Sequence, residues 1–542
     1  MATAPAHHTW QPSLPCRVSV ALSGGGHRAA AWALGTLYGL LAMRDAEARK
    51  DGGGVPIEFT AVASVSGGSL TNGVLATELA DLGVDLDDVT LDDFRRVTGS
   101  LLAAVATTGL IPAKGPTRRY LTGALAVLTL TVAAAVATLV AVFTAARGTP
   151  GFAWLLPLWL GIGALVGIGL AVALRHVGAF VAVLLVAAAG ALTWEYVGDS
   201  HGDAAWIAVL ALLVGTAALV LVLVVVVSAR GRVFERALDA VLFGGRRLGD
   251  VHAPDTRHVI CATELQSGHQ CFLAPELVTE WNAGEGAPGD LRLSRAVRAS
   301  AALPLAFPPV ELDLTRLGVH LARPWRPKGD PTIPVRKLVL TDGGVYDNMG
   351  DEWEYGYPER ALESAILPPS GAANFLVVAN AGKDIGWQSL GRAGLLWREL
   401  RGLKRDVDVV YDVSTSQRRR TLLRLFREAE EAGVGLVGVI AHLPTTPLDV
   451  CAAFTGKGDR GARADETRIV LNNMHEHWAA LASSNGDVPT TLGALSIDTT
   501  VDLVLHAAAL VSVSGYVVHG LGAAQPPTRA EIRAWVEGRA TG

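Results

Sequence analysis

Cysteine is scarce. Cys16, Cys261, Cys271 and Cys451 are the only four in 542 residues, they are widely scattered, and no two form a C-x-x-C pair. This argues against a disulfide framework or a cysteine-built zinc site. Buried free thiols are expected instead, with Cys261 and Cys271 placed to be neighbours on a hairpin. Charge is thin as well, at 18% of residues with a net of −5. No polybasic block of the kind that nucleic-acid binders carry occurs, so nucleic acid is not an expected partner. The opening stretch, MATAPAHHTWQPSLPCR, has no basic run leading into an apolar core. No cleaved signal peptide is therefore expected, and the soluble part is expected in the cytoplasm.

What the chain has in abundance is apolar surface. Half of its residues are hydrophobic and its mean hydropathy is positive, unusual for a wholly soluble protein. Residues 121–146, 152–174, 177–194 and 204–228 contain no Asp, Glu, Lys or Arg. Each run is close to the roughly 17–25 residues that span a hydrocarbon core as a helix. Four such runs in succession predict a four-helix transmembrane insertion over residues 119–230. Lys114, Arg118 and Arg119 precede the block, and Arg230, Arg232, Arg236, Arg246 and Arg247 follow it. Arg175 and His176 mark the middle connection, whereas the third holds Glu195, Asp199 and Asp203; only Arg147 opposes the trend. Positive-inside counting places both flanks, and both termini, in the cytoplasm. An even number of spans returns the chain to its starting side. Residues 1–118 and 231–542 can then form one cytoplasmic domain, with the bundle inserted between its two parts.

Chemistry concentrates at three strand ends. Residues 17–22 (RVSVAL) alternate like a strand and end in Ser23-Gly24-Gly25-Gly26-His27-Arg28, followed by an Ala-rich helical stretch to about residue 43. A glycine run between strand and helix cradles an anion with backbone N–H groups. No GK[ST] follows, which excludes a Walker loop, and the spacing fits a dinucleotide fingerprint poorly. An oxyanion hole, with Arg28 orienting the loop, is the other reading. Residues 59–75 (FTAVASVSGGSLTNGVL) read as strand, sharp turn and helix, the geometry that presents a hydroxyl at the carboxyl end of a parallel sheet. Ser64, Ser66 and Ser69 all carry hydroxyls, so this stretch alone does not choose the nucleophile. The third end is KLVLT, 337–341, which stops at Asp342-Gly343-Gly344. Residues 51–55 (DGGGV) precede a strand and read as a plain loop.

Further strands at 257–263, 375–380 and 435–440, a hairpin after Glu264 and a helix over 291–302 give an α/β layered sheet. Arg418–Arg420 with Arg424 reads as a solvated helix face, with contact to anionic headgroups as the sharper alternative. Residues 490–516 read as one or two helices packed on the core.

Together these pieces resemble the patatin-like phospholipase family. Gly24-Gly25-Gly26-His27-Arg28 resembles its oxyanion-hole motif, Ser64-Val65-Ser66-Gly67-Gly68 its G-x-S-x-G elbow, and Asp342-Gly343-Gly344 its D-G-[GA] motif. Residues 262–268 (ATELQSG) resemble its ATDL-x-TG segment, and residues 299–304 (ASAALP) with Phe307-Pro308-Pro309 its AS-x-A-x-P segment. Five matches in order are far more specific than any one. Two positions depart: Ser64 stands where the elbow has glycine, and Ser23 where many members have Asp. The resemblance implies a three-layer α/β/α sandwich and a Ser–Asp dyad without histidine. Ser66 would be nucleophile and Asp342 base, with Gly24, Gly25 and Gly26 as oxyanion donors and Arg28, Gly67, Gly343 and Gly344 in support. No metal or organic cofactor is implied. A membrane-integrated hydrolase of lipid acyl esters, phospholipid or lysophospholipid, is expected. An acyltransferase or thioesterase on the same scaffold and a non-enzymatic membrane sensor or scaffold are the rivals. A Ser–His–Asp triad competes on mechanism; His27 is the histidine to check, while His258 and His269 read as packing or surface residues.

Overall fold

The computed structural model describes residues 15–111, 229–304, 306–322, 335–383, 385–387 and 395–538. The chain divides into two compact units, Met1–Ile111 with Ala237–Gly542, and Pro112–Arg236. The expected membrane insertion, 119–230, lies outside the described residues apart from its last two positions. Among the described residues one helix, Ile497–His519, is long and apolar enough to cross a membrane, but 83% of its apolar stretch is buried inside the fold.

Short runs of Val, Ala, Leu and Ile build the sheet. Its strands are β1 (Cys16–Leu22), β2 (Ile57–Ser64), β3 (Arg257–Glu264), β4 (Gln270–Leu273), β5 (Val278–Glu280), β6 (Gly284–Gly286), β7 (Val310–Asp313), β8 (Lys337–Asp342), β9 (Phe375–Asn380) and β10 (Val437–His442). The order is β10-β9-β1-β2-β3-β4-β5-β6, with β8 pairing both β3 and β7. From β10 to β3 neighbours run parallel. The remaining pairs are antiparallel.

Parallel neighbours need crossovers, which the helices supply. Helix α1 (Gly26–Ala48) joins β1 to β2, and α2 (Gly67–Leu82) leaves β2. These two helices share one face of the sheet with α5 (Ile497–Ser514), which lies along α1, and the short α3 (Leu293–Ser300) packs against α2. The opposite face carries Ala21, Ala61, Ala63, Leu376 and Val378. It is covered by Trp353 and Tyr357 on one side and by Leu422 and Phe426 of the long helix α4 (Leu395–Ala432) on the other. Helices on both faces of a mixed sheet make this an α/β fold in three layers. The hairpin places Cys261 opposite Phe272 and Cys271 opposite Ala262, and all four cysteines are buried and free. The expected strand ends lie within two residues of those observed. Helix α4 is the element the sequence reading did not anticipate beyond its basic cluster.

The sheet places two strand ends head to head. On the edge of β3 away from β4, β2 pairs the first half, with Ser64 opposite Ile260. Where β2 stops, β8 takes over the same edge from the opposite direction, with Asp342 opposite Ala262. The turns that leave Ser64 and Asp342 therefore meet above one strand.

Candidate active site

The turn after β2 is strained. Ser66 has φ 51° and ψ −113°, one of two non-glycine residues with positive φ among those described. Such a backbone costs about 1–3 kcal/mol and persists only where the surroundings fix it. They do. The Val65 amide bonds the Leu22 carbonyl at 2.9 Å and the Gly68 amide bonds that of Ser23 at 3.2 Å. The Ser66 amide donates to Ser300 Oγ at 2.9 Å. A side chain at Gly67 would strike the Gly26 carbonyl, so glycine is required beside Ser66.

The three hydroxyls separate clearly in this setting. Ser64 Oγ donates to the Val259 carbonyl at 3.0 Å and accepts from Asn72 Nδ2 at 2.9 Å. Ser69 Oγ bonds both Ser64 and Ser300. Both serines are fully buried structural groups, while Ser66 is half-buried at the turn. Ser64, where the resembled elbow carries glycine, thus ties β2 to β3.

Asp342 is 1% exposed. Its Oδ1 accepts the Gly344 amide at 2.9 Å, and its carbonyl accepts from Thr263 Oγ1 at 2.9 Å. Burial raises its pKa from 3.8 to about 6, against the pull of the Gly344 amide and the hydroxyls of Ser66 and Tyr411, which face the carboxylate. At pH 7 most of it is ionised, and it is a better base than an exposed carboxylate. Gly343 packs on the Cys261 carbonyl, and a side chain at Gly344 would meet the Tyr411 ring. One segment braces both sides of the site: Ser300 receives the Ser66 amide, and the Ala302 carbonyl receives the Asp342 amide at 3.2 Å.

The glycine loop needs one correction. Gly24, expected among the oxyanion donors, bonds the Asn348 carbonyl through its amide at 3.0 Å. Gly25 and Gly26, at the start of α1 where first-turn amides lack an intrahelical acceptor, are left as candidate donors. Arg28 lies beneath them. Its Nη1 donates to the Val488 carbonyl at 2.6 Å and its Nη2 to Thr490 Oγ1 at 3.5 Å. No described carboxylate pairs with it, and burial lowers its pKa to about 10. It remains a cation in a weakly screened place, which suits a neighbouring anion.

No described histidine bonds Ser66 or Asp342. His27 Nδ1 lies 2.8 Å from the Gly493 carbonyl, and its amide bonds that of Thr491. Burial lowers its pKa to about 4, so the ring is neutral and serves as an anchor. His258 is held the same way, 2.8 Å from Asn72 Oδ1, with a pKa lowered by burial to about 4. Among the described residues no group of three or more His, Cys, Asp or Glu side chains is set to hold a metal ion.

The basic cluster divides: Arg420 and Arg424 are exposed, as on a solvated face, while Arg418 and Arg419 are half-buried and engaged. Arg418 donates to Asp351 at 2.9 Å and to Glu352 at 2.8 Å, and lies 3.3 Å from Asp347; Arg419 bonds His442. The Arg418 contacts dock α4 onto the segment that follows Asp342, and the Arg419 contact docks it onto the end of β10. Sequence reasoning also missed the roles of Ser300, Asn348 and Tyr411. Ser300 carried a signal, since it stands within the ASAALP segment, but Tyr411 carried none.

A family model described as Patatin-like phospholipase matches residues 20–350, more than half of the chain. That span includes the glycine loop, Ser66, the Ser300 brace and Asp342. No curated protein matches the chain.

Proposed function

Because the chain belongs to the patatin-like phospholipase family, we propose that it is a membrane-integrated lipid acyl hydrolase acting through Ser66 and Asp342 on phospholipids or lysophospholipids. Ser66 Oγ attacks the ester carbonyl while its proton passes to the Asp342 carboxylate. The oxyanion lies against the Gly25 and Gly26 amides and the N-terminus of α2, with the Arg28 charge behind them. Donors of this kind contribute about 3–4 kcal/mol to lowering the barrier. The tetrahedral adduct collapses, the C–O bond breaks, and the departing alcohol takes the proton from Asp342. Water then adds to the acyl-serine, giving its proton to Asp342. The fatty acid leaves as that proton returns to Ser66 Oγ.

The observation that carries this reading is the convergence of a strained serine turn and a buried acid on one edge of β3, over a segment bonded to both. The charge-free runs between residues 119 and 230 would hold the site's mouth near the inner leaflet, with both termini cytoplasmic, so that acyl chains enter without crossing water.

The full chain, expressed in cells, should carry a fluorophosphonate label in the membrane pellet after an alkaline carbonate wash. Ser66→Ala should carry none, and Asp342→Asn should label at least about 100-fold more slowly. Label on the Ser66→Ala chain would sink the nucleophile assignment. Label released into the wash would sink the membrane part alone.

A further inference from the structure

Helix α4 reaches the site from the far side of the sheet. Tyr411, Ser414 and Arg418 share one face of it, since positions three, four and seven apart line up on a helix. Arg418 is held by Asp347, Asp351 and Glu352, and Ser414 Oγ donates to the Tyr346 carbonyl at 3.4 Å. These contacts fix the helix against the stretch after Asp342 and bring the Tyr411 ring over Gly344. A Cβ on Gly344 would lie 2.6 Å from Tyr411 Cε1 and 3.0 Å from Asp342 Oδ1, so the absent side chain is what lets the ring approach the acid. Tyr411 Oη and Asp342 Oδ2 are both buried, and neither makes a hydrogen bond of regular geometry with any described group, each other included. Two buried polar atoms left over at the same place, one a donor and one an acceptor, would each cost free energy if they did not serve each other.

We propose that Tyr411 is a positioning residue for the hydrolysis: its hydroxyl donates to Asp342 and holds the carboxylate in the ionised, Ser66-facing form. The proposal rests on the Ser66–Asp342 reading above. Burial and the Asp342 charge both raise the Tyr411 pKa far above 10, so the phenol keeps its proton and acts only as donor. The groups that face Asp342 are the Ser66 hydroxyl from the elbow, the Gly344 amide from its own loop and Tyr411 from α4; no charged side chain shifts it. Arg418, Asp347 and Asp351, further along the seam, are engaged with one another. Removing the phenol oxygen therefore withdraws a donor that favours the carboxylate, and protonation of Asp342 becomes easier.

The test is the pH profile of p-nitrophenyl butyrate hydrolysis by the full chain in detergent, for wild type and Tyr411→Phe. The acidic limb of kcat/KM should move up by about half to one pH unit, with a several-fold loss on that limb and rates within about twofold near pH 8.5. Coincident midpoints would overturn the proposal even if the rate fell uniformly, because uniform loss is what a packing role gives. Should Tyr411→Phe fold poorly, 3-fluorotyrosine at position 411 keeps the ring and is the stronger donor; it should move the midpoint down, and an unmoved or raised midpoint overturns the proposal. Ser66→Ala separates the two failures. A fully active Ser66→Ala chain defeats the dyad, whereas an inactive one beside an unshifted Tyr411→Phe profile defeats Tyr411 alone.

Discussion

Ser66 and Asp342 both leave the carboxyl end of a strand beside β3, yet the two sides of the site are held by different forces. Around Ser66 the material is neutral: a positive φ, and serine and asparagine side chains bonded to one another and to backbone carbonyls. Beyond Asp342 it is ionic. The acid itself is buried, and the segment after it is clamped to α4 by one arginine among three carboxylates. A neutral network has geometry but no titration, so pH and salt leave it unchanged. An ionic seam in a dry place is shielded from salt but answers to pH. The nucleophile's side should therefore hold its shape across pH, while the base's side should loosen or tighten.

Breaking the ionic side gives the largest expected change. Arg418→Met removes the cation paired with the Asp347, Asp351 and Glu352 carboxylates, and should lower unfolding free energy by about 3–5 kcal/mol at pH 8, read from urea titration. Burial and the neighbouring Asp347 raise the Asp351 pKa to about 7, so Asp351 can take up a proton and the loss should shrink near pH 5. A loss unchanged with pH would remove the contrast between the two sides.

Asp342→Asn sharpens it with an effect of intermediate size. In the folded chain Asp342 binds its proton more tightly than the ordinary carboxyl of the unfolded chain, about 6 against 3.8. Its contribution to stability is present below the unfolded value and is lost as pH rises through the folded one. The wild-type chain therefore carries a penalty at pH 8 that the amide avoids, and Asp342→Asn should be more stable there by up to about 3 kcal/mol. The gap should close near pH 4. Equal stability at both pH values would mean that the acid is not buried as described.

The smallest effect belongs to the neutral side. Ser66→Gly keeps the turn and removes the steric conflict of a side chain at φ 51°. It should raise the melting temperature by a few degrees, about 1 kcal/mol, at pH 5 and pH 8 alike. A lower melting temperature would mean that the serine side chain itself holds the turn.

The same contrast governs what the sequence made legible. Ser66 and the glycine loop are local devices: a strand, a turn and a helix in consecutive residues, readable because their geometry is set by neighbours in the chain. Asp342 was legible for the same reason, as an acid that stops a strand. The Arg418 clamp and Tyr411 were not, because their partners lie some seventy residues upstream. Helix α4 itself hides behind a stretch, DVDVVYDVSTS, that is rich in β-branched and short polar residues and has little helical preference of its own. Gly24 shows the opposite error. Its motif position is as expected, but a carbonyl 324 residues later, that of Asn348, takes its amide.

The shared edge of β3 also orders events in time. A ribosome releases Ser66 early, but β3 and β8 are both encoded beyond residues 112–228. No nascent fragment that ends before Lys337 can fill the upper half of that edge, and none can bring an acid to the serine. On the reading proposed above, the growing chain can pass its whole hydrophobic block to a lipid bilayer before it is able to cut one.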